Sequence, residues 1–297
     1  MRTVRTVDDL RAALAPARRE GARIGLVPTM GALHDGHLSL IARARAECDV
    51  VVVSLFVNPA QFDERDDLQR YPRRERDDAQ LADDGGADVL FAPSVDEVYP
   101  PGFATSVEVL GLGDRLEGAA RGAEHFRGVC TVVAKLLGMA MPDVAYFGQK
   151  DAQQTIVIRR LVADLNLPVR IQVCPTVRES DGLAMSSRNA RLSPQERSRA
   201  LALPQALQAA ASRAAGGERS AASLVDAARS AMLAHGVEPE YVELVDPETL
   251  QPCEQLTREA LLALAARVGR TRLIDNVVLR PSAAAAPRQT PPRKAIA

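Results

Sequence analysis

Residues 49–56 read Asp-Val-Val-Val-Val-Ser-Leu-Phe, an apolar β-branched run without polar alternation. A strand with one wet face alternates; a run this continuous belongs to a strand covered on both faces of a parallel sheet. Such a strand needs helices above and below it, and the neighbouring chain provides the pattern. Residues 23–28 read as a short strand closed by Pro28, and Leu38, Ile41, Ala42 and Ala44 carry a helix to about Cys48. A helix over roughly 74–84, a strand over 88–91, a helix over 128–140, a strand over 144–147, a helix over 152–164 and a strand over 169–173 follow. Strands alternating with helices of this length predict an α/β, doubly wound parallel sheet. Ligands of such sheets sit beyond the carboxyl ends of the strands, so chemistry is expected in the loops at 28–37, 56–62, 148–151 and 175–188.

Past residue 190 the texture changes. Ser193-Pro194 opens an Ala-rich helix that Gly216-Gly217 breaks, and a second helix runs from about Ser220 to His235. Residues 241–245 and 271–279 read as strands, with an Ala/Leu-rich stretch at 259–268 between them. The expected organisation is a first domain over 1–176, a smaller α+β domain over 177–280, and a Pro/Ala-rich tail over 281–297 whose composition favours disorder. Of 297 residues, 37 are Lys or Arg and 38 are Asp or Glu, a net charge of -1 that argues against binding nucleic acid or an anionic membrane through bulk charge. Four scattered cysteines without a C-x-x-C pair suit a reducing compartment, and no signal-length or membrane-length apolar stretch occurs, so a cytoplasmic protein is expected.

The 28–37 loop, Pro-Thr-Met-Gly-Ala-Leu-His-Asp-Gly-His, holds two of the four histidines. Gly31 and Gly36 permit close backbone approach, a helix starting at Asp35 or Gly36 offers free N–H groups to an anion, and His34 and His37 can both aim at it. Zinc is the weaker reading, because H-x-x-H supplies only two ligands and no nearby Cys or His completes a set. The loop is neither a Walker A segment nor a dinucleotide fingerprint. Phe147-Gly148-Gln149-Lys150-Asp151 follows another strand, and its Lys150 is one of only three lysines in an arginine-dominated chain. A compact ammonium on a flexible stem suits phosphates whose geometry changes. The third loop, residues 181–189, places Met185-Ser186-Ser187-Arg188 before Asn189, two hydroxyls and a guanidinium that could clamp phosphate or could simply cap a turn. Asn58, Gln61, Gln153 and Gln154 offer neutral donors and acceptors for a hydroxylated substrate. Asp77-Asp78 could hold Mg²⁺, although a solvated helix face fits the surrounding charge run better; His125, beside Arg121 and Arg127, is a further candidate anion contact. No G-x-S-x-G elbow and no H-E-x-x-H occurs, so no nucleophile is marked and phosphoryl or nucleotidyl transfer fits best.

His34-Asp35-Gly36-His37 resembles the HxGH signature of the nucleotidyltransferase superfamily that includes class I aminoacyl-tRNA synthetases, and Met185-Ser186-Ser187-Arg188 resembles their KMSKS-type loop. More narrowly, PTMGALHDGH, SLFVNPAQF, YPR, LEG…HFRGV, FGQKD-x-QQ and DGLAMSSRN together resemble the pantoate–β-alanine ligase (pantothenate synthetase) family from residue 23 to about 280. The resemblance implies a Rossmann-like nucleotide-binding domain and ATP-dependent joining of (R)-pantoate to β-alanine through a pantoyl-adenylate. It implies release of AMP and pyrophosphate, in a Mg²⁺-dependent cytoplasmic homodimer. By the same resemblance ATP would be held by Met30, Gly31, Ala32, Leu33, His34, Asp35, Gly36, His37, Gly148, Gln149, Lys150, Asp151, Val177, Met185, Ser186, Ser187 and Arg188. His37 would be the proton donor, with His34, Lys150 and Arg188 on the phosphates; Gln61 would contact both pantoate and β-alanine, Gln154 pantoate, and Asn58 substrate. Asp77 and Asp78 match positions linked to Mg²⁺. Gln149 stands where many members have Glu. Alternative readings are a nucleotidyltransferase acting on a phosphate-bearing acceptor, a non-catalytic nucleotide-binding module, and a nicotinamide oxidoreductase, which the absent glycine fingerprint disfavours.

Overall fold

The computed structural model describes residues 1–62 and 65–282, so the tail expected to be disordered lies, from residue 283 onward, outside the described residues. The strands among them are β1 (Arg2–Val4), β2 (Ile24–Thr29), β3 (Val50–Leu55), β4 (Val89–Phe91), β5 (Val144–Gly148), β6 (Arg170–Cys174), β7 (Pro239–Val245), β8 (Ala260–Val268) and β9 (Thr271–Leu279). In the first part of the chain the helices are α1 (Val7–Arg19), α2 (Asp35–Glu47), α3 (Arg65–Arg70), α4 (Glu75–Asp84), α5 (Val95–Val98), α6 (Glu117–Arg121), α7 (Ala123–Ala140) and α8 (Ala152–Asp164). Then follow α9 (Pro194–Ala200), α10 (Ala202–Ala215) and α11 (Ala221–Ala234).

The first six strands form one sheet in the order β1-β4-β3-β2-β5-β6, every pairing parallel. Both faces are covered, as the valine run requires. Val52 of β3 and Ile24 and Leu26 of β2 pack with Leu10 and Leu14 of α1 and Val129, Val133 and Leu137 of α7. Val51 and Val53, on the opposite face, pack with Leu40, Ile41 and Ala44 of α2 and Ala82 of α4. β3 continues the order on one side of β2 and β5 on the other, which makes the gap between the carboxyl ends of β2 and β5 the topological switch point.

The second sheet, β7-β8-β9, is antiparallel. Central β8 is buried along almost its whole length because it too has two covers. Leu262, Leu264 and Ala266 face α10 and α11, whereas Leu261 and Ala263 pack on Ile156, Val157 and Leu161 of α8. That double burial is why residues 259–268 read as an Ala/Leu run with no strand period. Other features also depart from the expected pattern. α1 is an additional helix, capped by the Thr6 hydroxyl on the Asp9 N–H. The helix expected from 194 to 215 divides at Leu201, where Pro204 supplies no N–H for the Ala200 carbonyl.

Candidate active site

A cavity of about 870 Å³ opens at the switch point, near the upper end of the 300–1,000 Å³ range common for small-molecule sites. Met30, His34, Gly36, His37, Asn58, Gln61, Gly148, Lys150, Asp151, Gln154, Val177, Met185, Ser186, Ser187 and Arg188 all line it. Four loops distant in sequence thus reach one space, each from the carboxyl end of a strand or from the segment that follows β6.

The β2–α2 loop is shaped from within. Gly31 has φ +89° and Ala32 φ +52°, and a Cβ on Gly31 would lie 2.8 Å from Leu55 and 2.9 Å from the Asp78 carboxylate. Buried Asp78 accepts the Ala32 N–H at 3.0 Å and the Leu33 N–H at 2.7 Å, which ties the loop to α4. Those two amides therefore point at Asp78 and away from the cavity, and Gly31, Ala32, Leu33 and Asp35 stand behind its wall. Asp77, one residue earlier on α4, is exposed. The pair does not converge on one point, and among the described residues no cluster of three or more His, Cys, Asp or Glu could hold a metal ion. Asp77 and Asp78 do not fit as a joint Mg²⁺ cradle.

His34 caps α2 through its side chain, its Nδ1 accepting the Gly36 N–H at 3.1 Å. With Nδ1 an acceptor, the neutral ring carries its proton on Nε2. Gly36 has no alternative here: a Cβ would come within 2.8 Å of the His34 ring. The His34 and His37 rings stand 4.2 Å apart between centroids. Burial, then the Lys150 charge, lowers the His34 pKa. Burial, then the adjacent His34, brings His37 down to about 3, and its Nδ1 is buried without a partner. Burial and mutual proximity both favour neutral rings here.

Lys150 projects from the β5–α8 turn, its Nζ 3.4 Å from Asp151 Oδ1. The exposed Asp151 carboxylate is held below the ordinary carboxylate range by Lys150 and then Arg188. The turn is fixed from β9. Asn276 Nδ2 donates to the Gln149 and Lys150 carbonyls, both at 2.9 Å, and Asn276 Oδ1 accepts from Gln149 Nε2 at 3.1 Å. Gln149 thus faces β9, behind the cavity wall. Next to it, Asp275 pairs with Arg178 through both carboxylate oxygens, at 2.6 and 3.0 Å, and Arg178 donates to the Gly182 carbonyl. Asn189 ties Glu179 to the Ala184 carbonyl. Adjacent β9 residues therefore hold both the lysine turn and the hairpin that leads into Met185–Arg188. Arg178, Asp275 and Asn276 are functional supports that sequence reasoning missed, because only the antiparallel sheet brings them to the loops.

The remaining polar candidates separate by role. Both Gln153 and Gln154 line the cavity, but buried Gln153 donates to the Leu112 and Arg115 carbonyls and accepts from the Glu117 N–H, whereas Gln154 is half-buried. Glu117 in turn receives Arg272 through two hydrogen bonds, at 2.6 and 2.8 Å, and Tyr241 through one, which pins α6 to the second sheet. His125 bonds the Gln61 carbonyl through Nδ1 at 2.7 Å and Arg121 through Nε2 at 3.2 Å, so both its nitrogens have protein partners. Lys135 is half-buried with Nζ 4.4 Å from the Phe103 ring centroid.

Comparison with known proteins identifies a family and a fold. Residues 2–278 match the family model described as pantoate-beta-alanine ligase. Pantothenate synthetase 1 of Bradyrhizobium diazoefficiens is 55% identical over 280 residues, 94% of this chain and 98% of that protein. The pantothenate synthetase of Thermotoga neapolitana is 51% identical, across 94% of this chain and all of that protein. Among solved structures, the pantothenate synthetase of Thermus thermophilus superposes with a TM-score of 0.90 at 48% identity, covering 95% of this chain and 100% of that one. A Francisella tularensis pantoate-beta-alanine ligase, complexed with beta-gamma ATP and beta-alanine, gives 0.78 at 34% identity over 94% of this chain and 97% of that one.

Proposed function

This chain belongs to the pantoate–β-alanine ligase family, and from that premise we propose that its cavity carries out both halves of an adenylate-forming ligation. ATP and (R)-pantoate bind first. The pantoate carboxylate attacks the α-phosphorus, the bond to the β-phosphate oxygen breaks, and pyrophosphate leaves. The β-alanine amine then attacks the activated acyl carbon, loses a proton, and expels AMP to give pantothenate.

The observation that carries this reading is the convergence of His34, His37, Lys150 and the Ser186–Arg188 segment on one cavity that also holds Gln61 and Gln154. A carboxylate approaching a triphosphate brings anion to anion, and the rate depends on donors that strengthen as negative charge moves toward the leaving pyrophosphate. The His34 Nε2–H and the Lys150 ammonium are such donors, with the Ser186 and Ser187 hydroxyls and Arg188 closing from the other side. His37, neutral and with an unpartnered Nδ1, donates a hydrogen bond to an oxygen of the leaving group. Gln61 and Gln154 bind the organic acid, Gln61 also meets β-alanine, and Asn58 acts on substrate through Gln61. Mg²⁺ is expected to arrive on the triphosphate oxygens, neutralising part of their charge.

The second step needs mainly a neutral amine held beside the acyl carbon with water excluded. In this reading the residues through 176 hold ATP and pantoate, and residues 177–280 bring the Ser-Ser-Arg loop. The protein works as a cytoplasmic homodimer. All four cysteines are free thiols, and no helix among the described residues is long and apolar enough to cross a membrane.

An AMP-release assay with each substrate omitted in turn tests the proposal. Sustained AMP release should require ATP, pantoate and β-alanine together. Release that ignores β-alanine, or that a phosphorylated acceptor supports in its place, would redirect the assignment to another nucleotidyl transfer.

A further inference from the structure

We propose that Tyr99 is a positioning residue: through Asn58 it fixes the Gln61 amide so that the cavity offers an N–H donor, not a carbonyl, to an oxygen of the acid substrate. The inference deepens the functional reading above and rests on Gln61 meeting that acid.

The direction of each bond follows from groups whose polarity is not in question. Asn58 is 1% exposed, in the segment between β3 and the short turn at Pro59–Gln61. The Ala60 backbone N–H, which can only donate, approaches Asn58 Oδ1 at 3.3 Å. The Gly128 carbonyl, which can only accept, lies 3.1 Å from Asn58 Nδ2. These two contacts settle which end of the amide is oxygen. The Tyr99 hydroxyl, 2.8 Å from Oδ1, must therefore donate. Asn58 Nδ2 must in turn donate to Gln61 Oε1 at 3.0 Å. Gln61 thus has its carbonyl occupied and turns its NH₂ toward the cavity.

The relay is stiff at both ends. Burial pushes the Tyr99 phenol up to about 12, so it stays a donor at neutral pH. Its ring is wedged edge-on against Phe103, centroids 5.2 Å apart, and tilted toward Phe56 at 6.2 Å. At the other end the Gly128 position tolerates no side chain, since a Cβ there would lie 2.1 Å from the Ala60 carbonyl oxygen. His125 holds the Gln61 backbone carbonyl. An NH₂ presented this way favours a ligand with carboxylate or hydroxyl oxygens and disfavours one whose corresponding group only donates.

Two variants test the relay, read by pyrophosphate release and melting temperature. Tyr99→Phe keeps the ring contacts and removes one hydroxyl. It is expected to raise the pantoate KM about five- to tenfold, the scale of one neutral hydrogen bond, with the ATP KM and melting temperature unchanged. Gln61→Glu keeps the bond from Asn58 on one oxygen and turns the other, negative, toward the substrate. It is expected to raise the pantoate KM at least about 100-fold, again sparing ATP. Wild-type pantoate KM in either variant overturns the relay, as does a rise in both KM values together with a lowered melting temperature. Failure of the wild-type enzyme to release pyrophosphate with pantoate would instead defeat the functional reading on which the relay rests.

Discussion

Replacing Asp78 with Asn separates a loop-shaping carboxylate from a metal-binding one. Asp78 is 3% exposed and accepts two backbone N–H groups from a loop that carries consecutive positive-φ residues, Gly31 and Ala32. A non-glycine residue held in that region costs about 1–2 kcal/mol, which the bonds to Asp78 must offset. Hydrogen bonds to a charged acceptor contribute about 1.5–3 kcal/mol each. In Asp78→Asn one oxygen becomes an NH₂ that confronts an N–H, and the other bond loses its charge. The loss should total about 2–4 kcal/mol, or about 3–6 °C in melting temperature for a chain of this size. The assay is thermal or urea unfolding in chelator, without nucleotide, where a metal ligand has nothing to bind. The expected result is a clear drop there, with an unchanged Mg²⁺ concentration for half-maximal activity. Unaltered unfolding combined with a steeply raised Mg²⁺ requirement would refute this reasoning and return Asp78 to the metal.

Further expectations concern the imidazole pair and the lysine turn. His37 is neutral in the native protein down to about pH 3, against an ordinary value of 6.5, so between those limits the unfolded chain binds a proton that the native chain does not. Stability should fall as pH drops through that window: by pH 5 wild type should lose about 1–2 kcal/mol more than His37→Gln in urea unfolding, and equal losses would contradict the buried neutral ring. Asn276→Ala frees the lysine turn from β9. Its kcat/KM for ATP should fall about tenfold while the pantoate KM holds, and an unaltered ATP dependence would show that the turn supports itself.

The parallel sheet was legible because its evidence is local: the valine run of β3 and the Gly-His loop each signal structure within about ten residues, although Pro28, read as the end of β2, lies inside a strand that continues to Thr29. The loops at 28–37, 148–151 and 181–189 could likewise be read as anion-suited from their own residues. α1 went unread, although Thr6, the acids Asp8 and Asp9, and Leu10 with Leu14 at helical spacing mark it; Pro16 inside it interrupts the pattern. β8 was not, because burial on both faces erases the period that distinguishes strand from helix. Partnership is what local pattern cannot supply. Asn276 and Asp275 lie more than 90 residues from the loops they hold, and nothing in the tetrapeptide around them reports that. Gln153 and Gln154 look alike in the sequence, and only the fold commits the Gln153 amide to the Leu112 and Arg115 carbonyls and the Glu117 N–H. The same holds for Asp78, whose carboxylate could bind a cation until the loop amides are seen to occupy it.

Single-turnover quench-flow with ATP and pantoate, β-alanine omitted, examines most directly whether loops from separate strand ends act together on the triphosphate. Lys150→Ala and His37→Ala should each slow pyrophosphate release at least about tenfold, about 1.4 kcal/mol of barrier. Wild-type rates in both variants would contradict that role for the cavity.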